Sequence, residues 1–379
     1  RGLGDVYKRQ VAIGYQAGQT NQNDYGIAIG ANSGSSQNQY GIAIGYSAGY
    51  AQGTYSISIG YGAGSNPQGS YSIAIGYSAG SQPNQGGNAI AIGYQAGFRG
   101  QQPYTVALGY NAGYTAHGQY SVAIGYQAGF TSQSINSIAI GWNAGAHLQS
   151  QSSIAIGDGA GYTGQYRYSI AMGYQTGQQT QGTASIAIGY QAGQTVQASG
   201  SIAIGYQAGQ GTQGTYGIAL GFQAGMTRQN QYTIAIGYGA GSSTQGQYAN
   251  SLGYQAGGYS QGQYSTAIGY QAGYTNQGSY SVAIGYQAGM TNQAANSIAI
   301  AATGTGLSPA NPGFYVNPIR TTTGNTNVLV YDTTANELLY DNSGTKTFVI
   351  QHPMKEDSYL IHACLEGPEA GVYYRGEGN

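Results

Sequence analysis

Two of the four histidines and the single cysteine of this chain lie close together in sequence, and residues of these types can support nucleophilic or metal-dependent chemistry. His352, His362 and Cys364 lie within thirteen residues, and a thiolate beside an imidazole can act as a nucleophile or bind a metal. Their spacing matches no metal-ligand pattern, and the alternation in YLIHACL predicts a β-strand. We therefore expect neither a catalytic centre nor a metal site in this segment.

Residues 11–299 contain few groups that could act as an acid, a base or a ligand. His117 and His147 lie in different variable segments with no partner pattern, and the only charged residues are Asp24, Arg99, Asp158, Arg167 and Arg228. Glycoside hydrolysis needs two carboxyl groups within about 10 Å of each other. A Gly-x-x-x-Gly pattern recurs, but without the Gly-Lys-Ser/Thr of a phosphate loop. We expect no cofactor and no enzymatic activity.

The composition indicates an ordered repeat rather than ordinary globular domains. Only 6% of the residues are charged, against about 25% in a typical globular protein, while Gly contributes 68 of 379 residues and Tyr 39. Disordered chains are poor in aromatic and β-branched residues, whereas this chain is rich in Tyr and Ile. The net charge of -1 gives no electrostatic reason to expect nucleic acid as a partner. No apolar run is long enough to predict a membrane span.

A unit of the form IAIGYQAG repeats along most of the chain. Its spacing is 15 to 17 residues at first and 16 throughout from Ile90. Eighteen full units begin at Val11, Ile27, Ile42, Ile57, Ile73, Ile90, Val106, Val122, Ile138, Ile154, Ile170, Ile186, Ile202, Ile218, Ile234, Asn250, Thr266 and Val282, and a degenerate one begins at Ile298. Such a period predicts stacked coils of an all-β solenoid.

Each position of the unit has a structural interpretation. Positions one and three are large and apolar and position two is Ala, which predicts a short strand with Ile on one face and Ala on the other. We expect Ile to fill a thin core. Glycines at positions four and eight should form a corner that needs positive φ or a close approach; they include Gly14, Gly18, Gly125, Gly129, Gly205, Gly209, Gly285 and Gly289. The remaining residues vary, as in a surface loop.

Stacked coils of this size should form a rod of roughly 85 Å, given a strand spacing of about 4.8 Å. The thin core makes a single solenoid marginal, and three chains packed along one axis would relieve this. The flat Ala face would permit such an approach. The sequence leaves open which face packs inside the coil and which points to the shared axis.

Aromatic residues form two columns in register with the repeat. At position five they include Tyr15, Tyr46, Tyr94, Tyr126, Trp142, Tyr190, Tyr206, Tyr270 and Tyr286. A second column lies two residues before many unit starts, at Tyr25, Tyr40, Tyr55, Tyr71, Tyr104, Tyr120, Tyr168, Tyr216, Tyr232, Tyr248, Tyr264 and Tyr280. Stacked coils would align the rings into ladders that stabilise the rod, or into a platform for sugar rings flanked by Gln and Asn amides.

Units such as SIAIGYQAG, SVAIGYQAG and YSIAIGYSAG resemble the head repeats of YadA-type trimeric autotransporter adhesins, which also occur in fibre proteins of phages and large viruses. The resemblance covers residues 11–306 and implies a left-handed parallel β-roll of about 18 coils that assembles as a homotrimer. Two features depart from the family pattern: Tyr is unusually frequent at position five, and residues 307–379 do not predict the coiled-coil stalk or membrane anchor that the resemblance would lead us to expect.

Other segments fit no repeat. Residues 1–10 include DVYKRQ, which looks like a translated sequencing adaptor, so we expect a non-native leader. Residues 307–345 predict a linker and a short hairpin, with strands at Val328–Tyr331 and Glu337–Tyr340. Residues 346–379 resemble the beginning of a C-terminal module of viral fibre proteins, and we expect a truncated β-module.

The repeat and its resemblance together favour a structural and adhesive fibre shaft outside the cell, on a virion or a cell surface. Its expected partners are copies of itself and a host-surface glycan or protein. One alternative is a bacterial cell-surface trimeric autotransporter adhesin. Another is an ice- or matrix-binding solenoid, although Thr is scattered through the variable segments instead of forming regular columns.

Overall fold

The computed structural model describes residues 9–82, 85–320, 328–341, 347–351 and 359–363. The chain divides into two units, Arg1–Pro318 and Ile319–Asn379. The first is a parallel β-solenoid of about nineteen turns, which confirms the predicted fold class. The described residues include no helix that could span a membrane.

One sheet, the first sheet, runs the length of the solenoid and contains the strand of every repeat. Equivalent residues of successive coils pair in parallel, as in Val122↔Ile138 and Ala123↔Ala139. Its strands are Val11–Ile13, Ile27–Ile29, Ile42–Ile44, Ile57–Ile59, Ile73–Ile75, Ile90–Ile92, Val106–Leu108, Val122–Ile124, Ile138–Ile140, Ile154–Ile156, Ile170–Met172, Ile186–Ile188, Ile202–Ile204, Ile218–Leu220, Ile234–Ile236, Asn250–Leu252, Thr266–Ile268, Val282–Gly285, Ser297–Ala301 and Gly313–Asn317.

The variable half of each unit supplies the opposite wall of the roll. This second sheet contains Arg99–Gln101, Thr115–His117, Thr131–Gln133, His147–Gln149, Thr163–Gln165, Thr180–Gln181, Val196–Gln197, Thr212–Gln213, Arg228–Gln229 and Thr244–Gln245. A shorter sheet of the same kind, in the earliest coils, contains Asn21–Gln22, Ser36–Gln37 and Ala51–Gln52. The segments predicted as surface loops are therefore partly strands.

The inside of the roll is filled by small and amide side chains. In the coil that begins at Val122, the buried residues are Ala123, Ala128, Gly129, Gln133 and Ser137, and the two Ala side chains are fully inaccessible. The same positions are buried in coil after coil. Ile and Val at positions one and three lie on the outside and are half-buried. The expectation that Ile fills the core, and that Ala forms the outer contact face, is wrong.

Ile lies outside and Ala inside because the volume between the two walls of the roll is small. A Cβ added at Gly145 would lie 2.8 Å from Gln149 Oε1 and 3.3 Å from Ala139 Cβ, so even one methyl group meets occupied space. Branched side chains from both strand positions cannot fit there, and the alternation of the strand places them outside. The outward Ile face is left for solvent or for a partner.

The eight predicted corner glycines all have positive φ, near +127° at position four in most coils and near +55° at position eight. At position four the chain also passes close to the next coil. A Cβ on Gly125 would lie 2.8 Å from the Gly141 carbonyl carbon, and one on Gly205 would lie 2.8 Å from that of Gly221. Any residue larger than glycine at position four would therefore have an unfavourable backbone conformation and would clash with the backbone of the next coil.

The last turns of the solenoid differ from the rest. Ser297–Ala301 and Gly313–Asn317 are five-residue strands that pair in parallel, so the ladder continues into the segment predicted as a linker. Leu307 packs against the Ala cluster that includes Ala288 and Ala301. A larger apolar residue thus covers the end of the small-residue core, as terminal repeats of solenoids commonly do.

The described residues of the second unit form two antiparallel strand pairs. Val328–Asp332 pairs with Glu337–Asp341, where the sequence predicts a hairpin, and Thr347–Gln351 pairs with Tyr359–Ala363. The second pair includes the YLIHA part of the predicted strand. His352, Cys364 and most of residues 346–379 lie outside the described residues, as do residues 1–8 of the predicted leader.

Candidate functional site

The candidate functional surface is the outer side of the first sheet with its two aromatic borders. The large residues at positions one and three form two parallel apolar columns on this side, and Leu108 and Ile268, for example, are 41% and 37% exposed. The two aromatic columns follow in sequence on either side of each strand. The face is therefore largely apolar and repeats in register in most coils, with polar exceptions such as Asp158 and Asn250.

The position-five column consists of rings stacked along the rod. Ring centroids of successive coils lie 4.6 to 5.3 Å apart, from Tyr46 to Trp142 and again from Tyr174 to Tyr286. Asp158 separates the two stacks, and Ala31 separates Tyr15 from Tyr46. Eight of the nine predicted ladder residues therefore lie in stacks: Tyr46, Tyr94, Tyr126, Trp142, Tyr190, Tyr206, Tyr270 and Tyr286. Tyr15, the remaining one, is 73% exposed.

The second column, here called the pre-strand column, is stacked in the same way. Its centroids lie 4.6 to 5.5 Å apart within three runs, Tyr25 to Tyr71, Tyr104 to Tyr120, and Tyr216 to Tyr280. These tyrosines have positive φ, for example +59° at Tyr40 and +58° at Tyr232. A left-handed conformation costs roughly 1–2 kcal/mol for a residue with a Cβ, so stacking must offset a backbone cost that Gly or Asn would largely avoid.

Stacking decides what these rings can offer to a ligand. Parallel neighbours on both sides cover the two faces of each interior ring, such as Tyr94 between Tyr77 and Tyr110. What remains accessible is the ring edge and the phenolic hydroxyl. A sugar can lie across the edges of the stack and hydrogen-bond to its hydroxyls, but it cannot stack on an interior ring face.

An amide ladder runs beside part of the position-five column. Gln191 Nε2 donates to Gln175 Oε1 (3.0 Å), Gln207 Nε2 to Gln191 Oε1 (3.2 Å), and Gln223 Nε2 to Gln207 Oε1 (2.9 Å). These residues occupy position six, directly after the aromatic residue. The ladder gives this edge of the face a regular row of polar groups next to the phenols.

A second amide column is buried inside the roll, and our sequence analysis missed it. The residue five places before each following strand is Gln in every full coil except one, which has His117. Gln149 Nε2, for example, donates to Ile138 O (2.7 Å), and Gln165 Nε2 donates to Gln181 Oε1 (3.1 Å). The signal was available, because the residue keeps its distance to the next strand while the loop length varies.

His117 takes the place of a buried glutamine. It is fully inaccessible, and neither ring nitrogen has a hydrogen-bond partner among the described residues. Burial disfavours the charged imidazolium and lowers the pKa of His117 to about 3. His147, in contrast, lies on the second sheet, where its Nδ1 is 3.0 Å from Thr131 Oγ1. Within the described residues, no three metal-binding side chains come together.

Several segments of the solenoid match the family model of the YadA head domain repeat. The family model matches residues 51–79, 116–129, 132–160 and 181–208, all within the solenoid. Comparison with curated proteins and with solved structures gives no match.

The YadA head repeats support an adhesin-like fibre in a surface-exposed or extracellular location. The resemblance of the C-terminal segment to viral fibre proteins remains a prediction.

Proposed function

We propose that this protein is a non-enzymatic structural and adhesive fibre shaft that assembles as a homotrimer through the outer side of its first sheet. The observation that supports this most is the outward face of Ile, Val, Leu and Met side chains, broken at position one only by Asn250 and Thr266, on a chain with segments that match YadA head repeats. Two apolar columns exposed to water do not stabilise a single rod, because apolar surface is stabilising only when it is removed from water. Three such faces around one axis would cover one another.

The size of the face supports an assembly. Eighteen strand spacings of about 4.8 Å and a width of two strand positions, about 7 Å, give roughly 600 Å² before the aromatic borders are counted. Patches of this size or larger on soluble proteins usually mark interaction sites. Few charges interrupt the surface, which also disfavours nucleic acid as a partner.

The attachment surface would be the Tyr, Gln and Asn side chains that a trimer leaves accessible. Hydroxyls and amides repeat at every coil along the rod, so a host-surface glycan or protein could be held by many weak contacts in series. Such multivalency raises the overall affinity without any deep pocket. We place the protein outside the cell, as a viral tail-fibre-like shaft or, in the alternative, as a bacterial cell-surface autotransporter.

Ice binding has less support. Thr side chains do line the second sheet in several coils, but many of their hydroxyls are engaged. Thr131 Oγ1 donates to Ala146 O (3.3 Å), Thr195 Oγ1 to Gln210 O (3.1 Å), and Thr227 Oγ1 to Ser242 O (3.2 Å). A row of hydroxyls that bonds the next coil is poorly suited to ordering water at the surface.

The trimer can be tested by light scattering coupled to size exclusion on the full chain. We expect a mass of three chains of 39.0 kDa. Replacing Ile138, Ile154 and Ile170 with Ser should shift the mass towards one chain while the circular dichroism of the β-roll is kept. Replacing Thr131, Thr163 and Thr212 on the second sheet with Ser is the control, and it should leave the mass unchanged.

A folded wild-type monomer would contradict the trimer and leave the Ile face without its proposed role. Adhesion is tested separately, by retention of the wild-type chain on immobilised host-cell glycans and matrix proteins. Retention by neither surface would contradict the adhesive function without affecting the conclusion on assembly.

A further inference from the structure

The pre-strand column holds tyrosine side chains of successive coils in direct ring contact on an exposed surface. We infer that this column is an oxidative cross-linking site, at which neighbouring tyrosines of one chain are joined by a carbon–carbon bond along the rod. The best placed pairs are Tyr40 with Tyr55 and Tyr232 with Tyr248.

The distances and angles favour coupling between these rings. The Tyr40 and Tyr55 centroids are 4.6 Å apart at an interplanar angle of 1°, and those of Tyr232 and Tyr248 are 5.0 Å apart at 3°. All four side chains are exposed, so a soluble oxidant can reach them.

The backbone keeps each pair together. Tyr55 N donates to Gln39 O (3.1 Å), and Tyr248 N donates to Gln231 O (3.1 Å), so each ring is anchored beside its neighbour by a bond between coils. Holding two reactants in contact makes their coupling effectively unimolecular. A radical formed on one ring therefore meets the next phenol of its own chain before it meets another protein.

The reaction needs an external one-electron oxidant, such as a peroxidase or a photo-excited metal complex with persulfate. Each of two phenols loses one electron to the oxidant and one proton from its hydroxyl to water. The two phenoxyl radicals then form a bond between the ring carbons next to the hydroxyl-bearing carbons. The hydrogen on each of these carbons moves to the phenoxyl oxygen, so two phenols are restored and the pair has lost two hydrogen atoms in all.

Such a link would serve the rod where a disulfide cannot. Cys364 is the only cysteine of the chain, so no intrachain disulfide can join two coils. A tyrosine link closes a loop of one coil and restricts the unfolded chain in the way a disulfide does. An extracellular fibre, as proposed above, would also be exposed to oxidants, although the coupling itself does not depend on trimer formation.

Each of the two aromatic columns contains a place where no link can form, and these places serve as controls. Tyr168 has Ser152 and Ala184 at the equivalent positions of the neighbouring coils, so it lacks a phenol to couple with in its column. In the position-five column, Phe222 lies between Tyr206 and Tyr238, with centroids 4.9 and 4.8 Å away, but has no hydroxyl. Links along the rod should be absent at both places.

The test is photo-oxidation of the full chain with a ruthenium complex and persulfate, followed by thermolysin digestion and peptide mass spectrometry. The sample is an equal mixture of unlabelled and ¹⁵N-labelled chains refolded together. We expect linked peptides for Tyr40–Tyr55 and Tyr232–Tyr248 that have lost two hydrogens and carry a single isotope. Tyr248→Phe keeps the ring stack and should abolish the links to Tyr232 and Tyr264.

The retained Tyr40–Tyr55 link in Tyr248→Phe is the internal control for the oxidation. Three results would overturn the inference: no tyrosine link in the wild-type chain, links that mostly join labelled to unlabelled peptides, or a Tyr168 link as abundant as those of the stacked pairs. Mixed-isotope links would place the contact between chains, which would itself support the trimer.

Discussion

The first and second sheets belong to the same coils but differ on their outer sides. Every full coil contributes a three- or four-residue strand to the first sheet, with an outward apolar residue at most positions one and three. The strands of the second sheet have two or three residues, and their outward residues are mixed, with Thr and Arg beside the exposed apolar Leu148 and Val196. Their inward residues, Ala on one sheet and Gln on the other, are fixed in almost every coil.

This comparison separates two requirements. The interior holds small side chains on one wall and amides on the other, with the imidazole of His117 in one amide position, because the coil is too narrow for branched apolar side chains on both walls. The outer side has no such requirement from the fold, so its residues reflect contacts made outside the coil. The first sheet keeps an apolar residue at most of its outward positions, whereas the second sheet does so only at scattered ones such as Leu148 and Val196. This difference is the reason for proposing the first sheet as the surface that binds partners.

The largest effect should come from the corner that closes the first sheet. Gly141 has φ +128°, and an added Cβ would lie 2.6 Å from Gly157 O. Gly100 on the second sheet has φ +71°, and an added Cβ there would come no closer than 3.7 Å to its nearest neighbour, Ala116 N. We expect Gly141→Ala to lower the free energy of unfolding by at least about 3 kcal/mol and Gly100→Ala by about 1 kcal/mol. Urea unfolding measures both, and equal losses would contradict the close approach at the corner.

The next effect reverses the usual rule for core substitutions. Ala139 is fully buried and Ile140 is half-exposed. Ala139→Ile should destabilise the solenoid by about 1–3 kcal/mol through overpacking, while Ile140→Ala should cost the folded coil less than about 1 kcal/mol. The comparison is made at a protein concentration where assembly does not contribute. A larger loss for Ile140→Ala would mean that Ile faces inward after all.

A third effect is the dependence of stability on acid pH that His117, on the inner side of the second sheet, should cause. The pKa of His117 is near 6.5 when unfolded and about 3 when buried, so below pH 6.5 the unfolded chain binds a proton that the folded chain does not. The free energy of unfolding therefore has its full value above about pH 6.5, where His117 is neutral in both states, and it falls as pH drops towards 3. Between pH 6.5 and pH 5 the loss should be about 2 kcal/mol.

His117→Gln restores the buried amide column and should remove this acid-dependent loss. Urea midpoints at pH 7 and pH 5 measure the difference between the variant and the wild type. A wild-type chain that is as acid-resistant as His117→Gln would show that the imidazole is not buried in its neutral form.

The smallest effect concerns the aromatic stacks. Tyr248 stacks between Tyr232 and Tyr264, while Tyr168 has no ring neighbour in its column. Both residues have positive φ, so the effect of a substitution on backbone strain should be the same at the two positions. We expect Tyr248→Leu to cost about 0.5–1.5 kcal/mol more than Tyr168→Leu. Thermal unfolding of the two variants measures the difference, and identical midpoints would mean that stacking adds little.

Part of this structure could be predicted from local spacing. The repeat period, the strand at Ile138–Ile140, the corner at Gly141 and Gly145 and the alignment of the aromatic columns all depend on residues that are neighbours in sequence or one coil apart. The buried amide column could have been found in the same way, because the Gln keeps its distance to the next strand. His117 then appears as the one exception in that column.

The sequence by itself determined that Ile and Ala lie on opposite sides of each strand, since successive side chains of a strand alternate. It did not determine which side is inside. That was decided by the volume between two walls joined by short corners, which accepts Ala139 and Gln149 but leaves Ile138 and Ile140 outside. The same tertiary geometry decided that the tyrosine rings cover one another and present only their edges, because adjacent coils bring them within ring contact.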